Sequence, residues 1–295
     1  IEENISYQEF QELLDNYSFY QDDLVGDEVG IPLYFLGKKT NNSKIKVVQV
    51  GEGADELFYG YDHWNRYLKL NKFFKPFFKS TKKYSSFKNH RLNMLSNILF
   101  NRTSFAGGAL GFNLKELDSL IKDGLPNHSD LIFYADNKWK DYFSNKNSKI
   151  SKWMTLIDLK IRLPELLLMR MDKLVMQSAV EARVPFLDHK LVEYVLSLPE
   201  ELLIDLTNTK SLLKKVALKY LPDQIINRKK QGFRAPIGEW IKKDEEKFYE
   251  SVQQFNSLVN LFNERELNHI LNGNDYQKKW YLINLSNWHL ARVAN

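Results

Sequence analysis

Apolar positions at helical spacing cover most of the chain. Ser6 and Glu9 have the spacing of a capping box, which predicts a helix through residues 10–14. A second short helix is expected through residues 31–36, before a polar loop at residues 38–43. The N-terminal part is therefore expected to be helical.

The clearest strand signal lies at residues 45–50, which are short, rich in β-branched side chains and bounded by loop signals. This segment leads directly into Gly51-Glu52-Gly53-Ala54-Asp55-Glu56, after which a helical pattern begins. The order of strand, glycine turn and helix is typical of an open α/β sheet, in which ligands bind at the carboxyl ends of the strands. We therefore expect a ligand site at the end of this strand.

The rest of the pattern is almost wholly helical. Pro164 is expected to open a helix that ends near Met176, because proline is favoured in the first turn of a helix. Asp188 is expected to cap a helix at residues 191–198, and a further helix is expected at residues 211–220.

Composition excludes several classes of protein. The chain has 295 residues, of which 43% are hydrophobic and 27% charged, so it can bury a core and is not expected to be disordered. It has no cysteine, which excludes disulfides, a thiol nucleophile and thiolate metal sites. No apolar run is long enough to span a bilayer and no signal-peptide pattern is present, so we expect a cytoplasmic protein without a membrane segment.

A basic stretch at residues 69–91 carries much of the excess behind the net charge of +5, and its lysines alternate with aromatic residues. That pattern occurs in single-stranded nucleic acid sites. It is also the pattern of an amphipathic helix and loop with the aromatic side chains inward. No signature of a nucleic-acid-binding module accompanies it, so the second interpretation is favoured.

Three carboxylates, those of Glu52, Asp55 and Glu56, follow the predicted strand. Acidic residues in the first turn of a helix stabilise its dipole, which is sufficient reason for Asp55 and Glu56 but not for Glu52 between two glycines. If the ligand is a nucleotide, three acids beside its phosphates imply a bridging Mg²⁺.

Two further segments carry charged residues in unusual contexts. Arg170 and Asp172 lie in a predicted helix that is apolar nearly all round, so they need partners, and residues 181–188 are expected to supply them. Arg183 in that segment either completes a structural ion network or binds a substrate carboxylate with both arms of its guanidinium. The basic residues around Lys230 form either a solvated surface or a group that neutralises phosphate, and spacing leaves both open.

These segments together resemble one family, the glutamine-hydrolysing asparagine synthetases. Residues 51–61 are similar to the SGEGADELFGGY segment of that family. Residues 172–188 resemble its DRxSMxxSLEARVPFLD segment, and residues 210–240 resemble its segment with the pattern K-x-LL…LP…I-x-R-x-K-x-GF-x-x-P-x-x-x-W. Asp22 and Asp27 also resemble the acidic residues that precede a helix upstream of the Glu52-containing turn in that family.

The resemblance implies a fold and a reaction. The fold is an α/β ATP-pyrophosphatase domain with a parallel sheet, here truncated at its N-terminal edge and rich in helix. The reaction uses ATP and Mg²⁺ to convert the side-chain carboxylate of aspartate into an acyl-adenylate. Ammonia derived from glutamine, released by an N-terminal glutaminase domain, then forms the amide.

The resemblance also implies roles for individual residues. Glu52 matches the catalytic acid near the reacting carboxylate, and Lys230 matches the catalytic lysine that offsets phosphate charge. Asp55 matches a magnesium ligand, while Gly51 and Gly53 allow the backbone to approach the nucleotide.

Departures from the family pattern define the alternatives. The family's SGGxDS pyrophosphate loop is absent, so residues 1–295 are interpreted as a synthetase-domain fragment that is inactive by itself, its loop and glutaminase domain expected before Ile1. Val50 replaces the usual serine and Tyr59 the first glycine of FGGY, which leaves open a paralogous amidotransferase or a lactam- or peptide-cyclising ligase acting on another carboxylate. A binding domain that has lost the loop is the third alternative. The sequence also leaves open whether the protein is a homodimer.

Overall fold

The computed structural model describes residues 4–74, 111–125, 149–229 and 235–293. Most of these residues are helical. The helices before residue 180 are α1 (Tyr7–Tyr17), α2 (Gly30–Asn42), α3 (Ala54–Leu57), α4 (Asp62–Phe74), α5 (Leu114–Leu120), α6 (Ile150–Ile157) and α7 (Met169–Met176), with a π-helical segment (Asp158–Leu168) joining α6 to α7.

The C-terminal part of the chain is also helical. A single 3₁₀ turn (Pro185–Leu187) comes first. The helices that follow are α8 (His189–Ser197), α9 (Glu200–Leu203), α10 (Ser211–Ala217), α11 (Asp223–Ile226), α12 (Ile237–Lys243), α13 (Glu245–Val259), α14 (Glu264–Leu271) and α15 (Tyr276–Val293).

A small parallel sheet accompanies the helices. Strand β1 (Val47–Gln49) pairs with strand β2 (Glu181–Arg183), with Val48 opposite Ala182. In the described ranges this two-stranded pair is the whole sheet. The expectation of a helix-rich α/β architecture with a reduced parallel sheet is therefore confirmed, whereas the ATP-pyrophosphatase fold stays a prediction.

Two apolar clusters lie on either side of the strand end. The first surrounds Phe10, whose ring stacks on Trp240 with centroids 4.4 Å apart, and includes side chains of α1, α2, α7 and the C-terminal helices. The second surrounds Trp64 and Trp153 and includes Leu57 of α3. Because Val48 packs on the first cluster and Leu57 belongs to the second, the turn after β1 bridges the two.

Local signals near the N-terminus were largely predictive. The Ser6 side chain accepts a hydrogen bond from the Glu9 amide at 3.2 Å, and the Glu9 carboxylate accepts one from the Ser6 amide at 2.8 Å, so the predicted capping box is present. The predicted polar loop at residues 38–43 is wrong, because α2 continues to Asn42. Lysine and other polar residues are tolerated in a helix wherever its surface faces water.

Two predictions about later helices were wrong. Pro164 does not open a helix; it lies inside the π-helical segment, where a locally shifted bonding pattern accommodates a residue that has no N–H to donate. Helix α10 ends at Ala217 rather than at residue 220. The cap at Asp188 is confirmed, since its carboxylate accepts hydrogen bonds from the Lys190 and Leu191 amides.

Much of the basic stretch at residues 69–91 lies outside the described residues, beyond the end of α4. Of the helices that the described ranges contain, none is both long and apolar enough to cross a membrane.

Candidate active site

The turn between β1 and α3 is fixed by backbone contacts at both ends. The Val50 amide donates to the Arg183 carbonyl at 2.9 Å, which extends the pairing of β1 with β2 to the start of the turn. Gly53 has a φ of 90°, and a Cβ at this position would lie 2.4 Å from a Leu187 methyl carbon. The turn therefore requires glycine at position 53.

Glu52 is held in a mostly buried position beside an arginine. Its Oε1 atom lies 4.0 Å from Arg170 Nη2, and 24% of its side chain is exposed. Arg170 also donates a hydrogen bond to Asp27, which precedes α2. Burial raises the pKa of Glu52 above its ordinary value, and the Arg170 guanidinium opposes that rise.

Asp55 has a different cationic neighbour. Its Oδ1 atom lies 3.1 Å from Lys210 Nζ, and both side chains are about a quarter exposed (22% and 26%). Lys210 has a φ of 54° and immediately precedes α10. The contact depends on Gly60, because a Cβ there would lie 1.9 Å from Asp55 Oδ1 and 2.4 Å from Lys210 Cε.

Glu56 is buried on the interior side of the turn, with 1% of its side chain exposed. It accepts a hydrogen bond from Tyr61 Oη at 2.5 Å, and Arg162 Nη1 lies 3.6 Å from the same oxygen. Arg162 also forms an ion pair with Asp158 at 2.8 Å. Glu56 is thereby engaged by protein groups rather than presented to a ligand.

The three carboxylates of the turn thus have three separate cationic partners. Among the described residues there is no group of three acidic or histidine side chains that could hold a metal ion. A Mg²⁺ ion that binds together with a nucleotide needs only one or two protein carboxylates, the remaining ligands being phosphate and water oxygens. Asp55 fits that limited requirement because it is the partly exposed acid at the start of α3.

Arg183 is the last residue of β2, and its main-chain carbonyl accepts the hydrogen bond from the Val50 amide at the start of the turn. Its side chain is 62% exposed and its Nε donates to Glu181 Oε1 at 2.8 Å. The prediction that residues 181–188 supply the partners of Arg170 is wrong. Those partners are Asp27 and Glu52, because α7 packs against α2 and presents its buried arginine toward the chain before that helix.

Lys230 lies outside the described residues, so its role in offsetting phosphate charge stays a prediction. The preceding residues Arg228 and Lys229 are exposed.

Several residues around the turn have no role that the sequence alone indicates. Lys210, Asp27 and Tyr61 lie within the segments that resemble the family, but the motif patterns indicate no specific role for them. Arg162 and Asp158 carried a weak signal, namely opposite charges four residues apart in a largely apolar stretch.

Comparisons with known proteins agree on one family. The sequence profile described as asparagine synthase matches residues 1–290. Asparagine synthetase (glutamine-hydrolyzing) 1 of Bacillus subtilis (strain 168) is 30% identical over 258 residues, covering 85% of this chain and 40% of that protein. A putative asparagine synthetase (glutamine-hydrolyzing) of Mycobacterium tuberculosis (strain ATCC 25618 / H37Rv) is 29% identical over 311 residues, covering 99% of this chain and 46% of that protein.

The chain spans less than half the length of these two relatives. The family profile nevertheless covers almost all of its residues. The chain therefore belongs to the asparagine synthase family.

Proposed function

We propose that this chain uses ATP to activate a carboxylate and convert it into an amide, and that the carboxylate is the side chain of aspartate. The family supports this proposal, as do the names of the relatives, which are asparagine synthetases that hydrolyse glutamine. Ammonia would then come from glutamine through a glutaminase domain acting with this chain.

The reaction has two steps, because a carboxylate is a poor electrophile. A carboxylate oxygen attacks the α-phosphorus of ATP, the bond to the bridging oxygen breaks, and an acyl-adenylate and pyrophosphate form. The nitrogen of ammonia then attacks the acyl carbon, and AMP leaves with the electrons of the C–O bond while the nitrogen loses a proton. Positioning the reactants and neutralising the leaving groups supply most of the catalysis in such a reaction.

The observation that carries the proposal is the position of Glu52, a mostly buried acid at the carboxyl end of a parallel strand, where α/β proteins bind ligands. Its pKa is raised by burial, which brings a carboxylate closer to the range in which it can accept a proton. In the proposal Glu52 takes the proton that the nitrogen loses.

The nucleotide would be bound by the rest of the turn. No described atom lies within 4 Å of a Cβ built on Gly51, so the backbone at this residue is accessible to a ligand. Gly53 supplies the left-handed conformation that begins α3. Asp55 would hold Mg²⁺, which supplies charge neutralisation to the phosphates when it is bound. Lys230 would add positive charge to the same phosphates.

Arg183 is proposed to bind the second carboxylate of the substrate. Its guanidinium can form two parallel hydrogen bonds with a carboxylate, and Glu181 already occupies it in this way at an exposed position. A substrate carboxylate would replace Glu181 as its partner.

The departure from the family at Tyr59 does not support a different acceptor. Tyr59 is 4% exposed, has a φ of 55°, and packs edge-on against Trp64 with ring centroids 5.5 Å apart. The position needs the left-handed backbone that glycine adopts readily, and the tyrosine side chain fills the second apolar cluster. This packing gives the substitution a structural reason, which supports aspartate as the proposed acceptor.

Aspartate-dependent exchange of radiolabelled pyrophosphate into ATP tests the proposal, with the protein expressed as its gene encodes it. Exchange that requires aspartate and Mg²⁺ is expected. A panel of other carboxylates, including glutamate and β-amino acids, separates aspartate from the alternative acceptors. Absence of exchange with every small carboxylate would contradict the proposed reaction.

The same assay on residues 1–295 tests the proposal that this segment is inactive by itself. No exchange and no asparagine formation are expected from it, because it has no SGGxDS loop. Measurable asparagine formation by residues 1–295 would overturn that expectation.

A further inference from the structure

A π-helical segment contacts the turn between β1 and α3 through Arg162, which lies near Glu56. It spans Asp158–Leu168, contains Pro164, and continues at each end into an α-helix with right-handed backbone angles at both junctions. Longer π-helical geometry is rare, and local π turns occur frequently at functional sites because they change the direction of the side chains that follow. We therefore consider which residues of this segment contact the turn and what they do there.

Two charged residues of the segment are buried against Glu56. Asp158 is fully buried and the Arg162 side chain is 14% exposed. Arg162 Nη1 lies 2.8 Å from Asp158 and 3.6 Å from Glu56, and its guanidinium carbon lies 4.8 Å from the centre of the Tyr61 ring. Tyr61 in turn donates to Glu56.

This network is not expected to contribute much to the free energy of unfolding. Burying charges costs free energy that their mutual attraction repays only when every polar atom is satisfied. Among the described residues, Arg162 Nε and Asp158 Oδ1 are buried without a hydrogen-bond partner. A buried ion network that is only partly satisfied is therefore expected to serve a purpose other than folding free energy.

The same continuous helix contacts the turn at a second point. Arg170, in α7, lies beside Glu52 and donates to Asp27. Arg162 and Arg170 thus hold Glu56 and Glu52, which lie on either side of Asp55 in the sequence. The turn is connected at both ends to one helix.

We propose that Arg162 is a positioning residue, which fixes Glu56 and thereby sets the orientation of Glu52 and Asp55 toward their ligands. This inference rests on the proposed function, because the orientation of Glu52 and Asp55 serves catalysis only if the chain carries out that reaction. Arg162 is not expected to touch substrate, because its guanidinium contacts Asp158, Glu56 and Tyr61 and only 14% of its side chain is exposed. The ligand it serves through the turn is the nucleotide with its activated carboxylate.

Three variants test the proposal. Arg162→Met removes the charge and keeps much of the apolar stem, Arg162→Lys keeps the charge and loses the planar fork, and Tyr61→Phe removes a single hydroxyl that donates to Glu56. Arg292→Met is the control, because Arg292 is a half-buried arginine that donates to the Ser18 and Gln21 carbonyls and not to the turn.

Hydrogen–deuterium exchange of peptides covering residues 51–61 is the first measurement, because it needs no activity. Faster exchange is expected in Arg162→Met and Tyr61→Phe, with partial restoration in Arg162→Lys and no change in Arg292→Met. Unchanged exchange in Arg162→Met and Tyr61→Phe would overturn the proposal. If Arg162→Met fails to fold, Arg162→Lys gives the decision, and exchange equal to that of the wild type in this variant would overturn the proposal.

Steady-state kinetics are the second measurement. A misplacement of about 1 Å in reacting groups costs roughly 10²-fold in rate, so kcat should fall by about 10- to 100-fold in Arg162→Met while KM for ATP changes by less than about 5-fold. A fall in melting temperature with kcat unchanged would assign Arg162 a structural role and overturn the proposal. If the wild-type protein shows no pyrophosphate exchange, the proposed function fails, whereas hydrogen–deuterium exchange still shows whether Arg162 orders residues 51–61.

Discussion

Lys210 Nζ lies 3.1 Å from Asp55 Oδ1 and thereby joins the turn after β1 to the chain that leads into α10. The pair is close because Gly60 has no side chain to separate the two. Together with Arg170 and Arg162, Lys210 gives each acid of the turn a cationic partner from elsewhere in the chain. The turn is therefore positioned by tertiary contacts as much as by its own sequence.

Replacement of Glu52 by glutamine should separate the two steps of the proposed reaction. Glu52→Gln keeps the shape of the side chain but cannot accept a proton, so amide formation should slow by roughly 10²- to 10⁴-fold. Pyrophosphate exchange, which precedes proton removal, should change by less than about 10-fold. Parallel assays of exchange and asparagine formation measure this.

Glu250→Gln is the control for Glu52→Gln, because Glu250 is an exposed acid of α13, outside the turn. It should leave proton removal unaffected. Equal loss of exchange and amide formation in Glu52→Gln would assign Glu52 to nucleotide or substrate binding instead.

The two glycines that flank Glu52 should respond differently to alanine. Gly53→Ala places a Cβ 2.4 Å from Leu187 on a backbone with φ of 90°, and should destabilise the fold by about 1–3 kcal/mol. Gly51→Ala should change stability by less than about 0.5 kcal/mol and should instead weaken ATP binding. Urea unfolding and ATP titration distinguish the two, and similar unfolding midpoints for both variants would contradict the difference.

The stability of the protein should depend on the ionisation of Asp158. Burial raises the pKa of Asp158 from its ordinary 3.8 to about 6, although Arg162 opposes this, while Glu56 adds to it. A raised carboxyl pKa contributes stability that is fully present below pH 3.8 and is lost as the pH rises through 6. Since one pKa unit corresponds to about 1.4 kcal/mol, the loss is on the order of 3 kcal/mol.

Asp158→Asn cannot ionise and should lack this pH dependence. The unfolding free energy of the wild type relative to Asp158→Asn should therefore decline between pH 4 and pH 7. Urea unfolding at several pH values measures the difference. A difference that stays constant across this range would show that Asp158 titrates at its ordinary pKa.

Lys230 is expected to offset the charge of the phosphates during adenylation. Lys230→Met should lower pyrophosphate exchange by roughly 10²- to 10³-fold, which is the usual loss when one stabilising donor is removed. Lys229→Met is a matched control, because Lys229 is an adjacent exposed lysine. Equal effects of the two substitutions would indicate a general electrostatic contribution rather than a specific contact.

The sequence determined the local features of this protein. The capping box at Ser6, the strand before Gly51 and the cap at Asp188 were predicted because each depends on contacts within a few residues. The family was predicted for a similar reason, since its motifs are contiguous segments that can be read without knowledge of the fold.

Only the tertiary structure decided which charges meet. The partners of Arg170 were expected nearby at residues 181–188, yet they are Asp27 and Glu52, which packing of α7 on α2 brings close. The sequence likewise did not predict that each of the three acids pairs with a different cation. It also did not predict that the helix around Pro164 is π-helical. Ion pairing depends on distance and burial in the folded chain, and sequence separation determines neither of them.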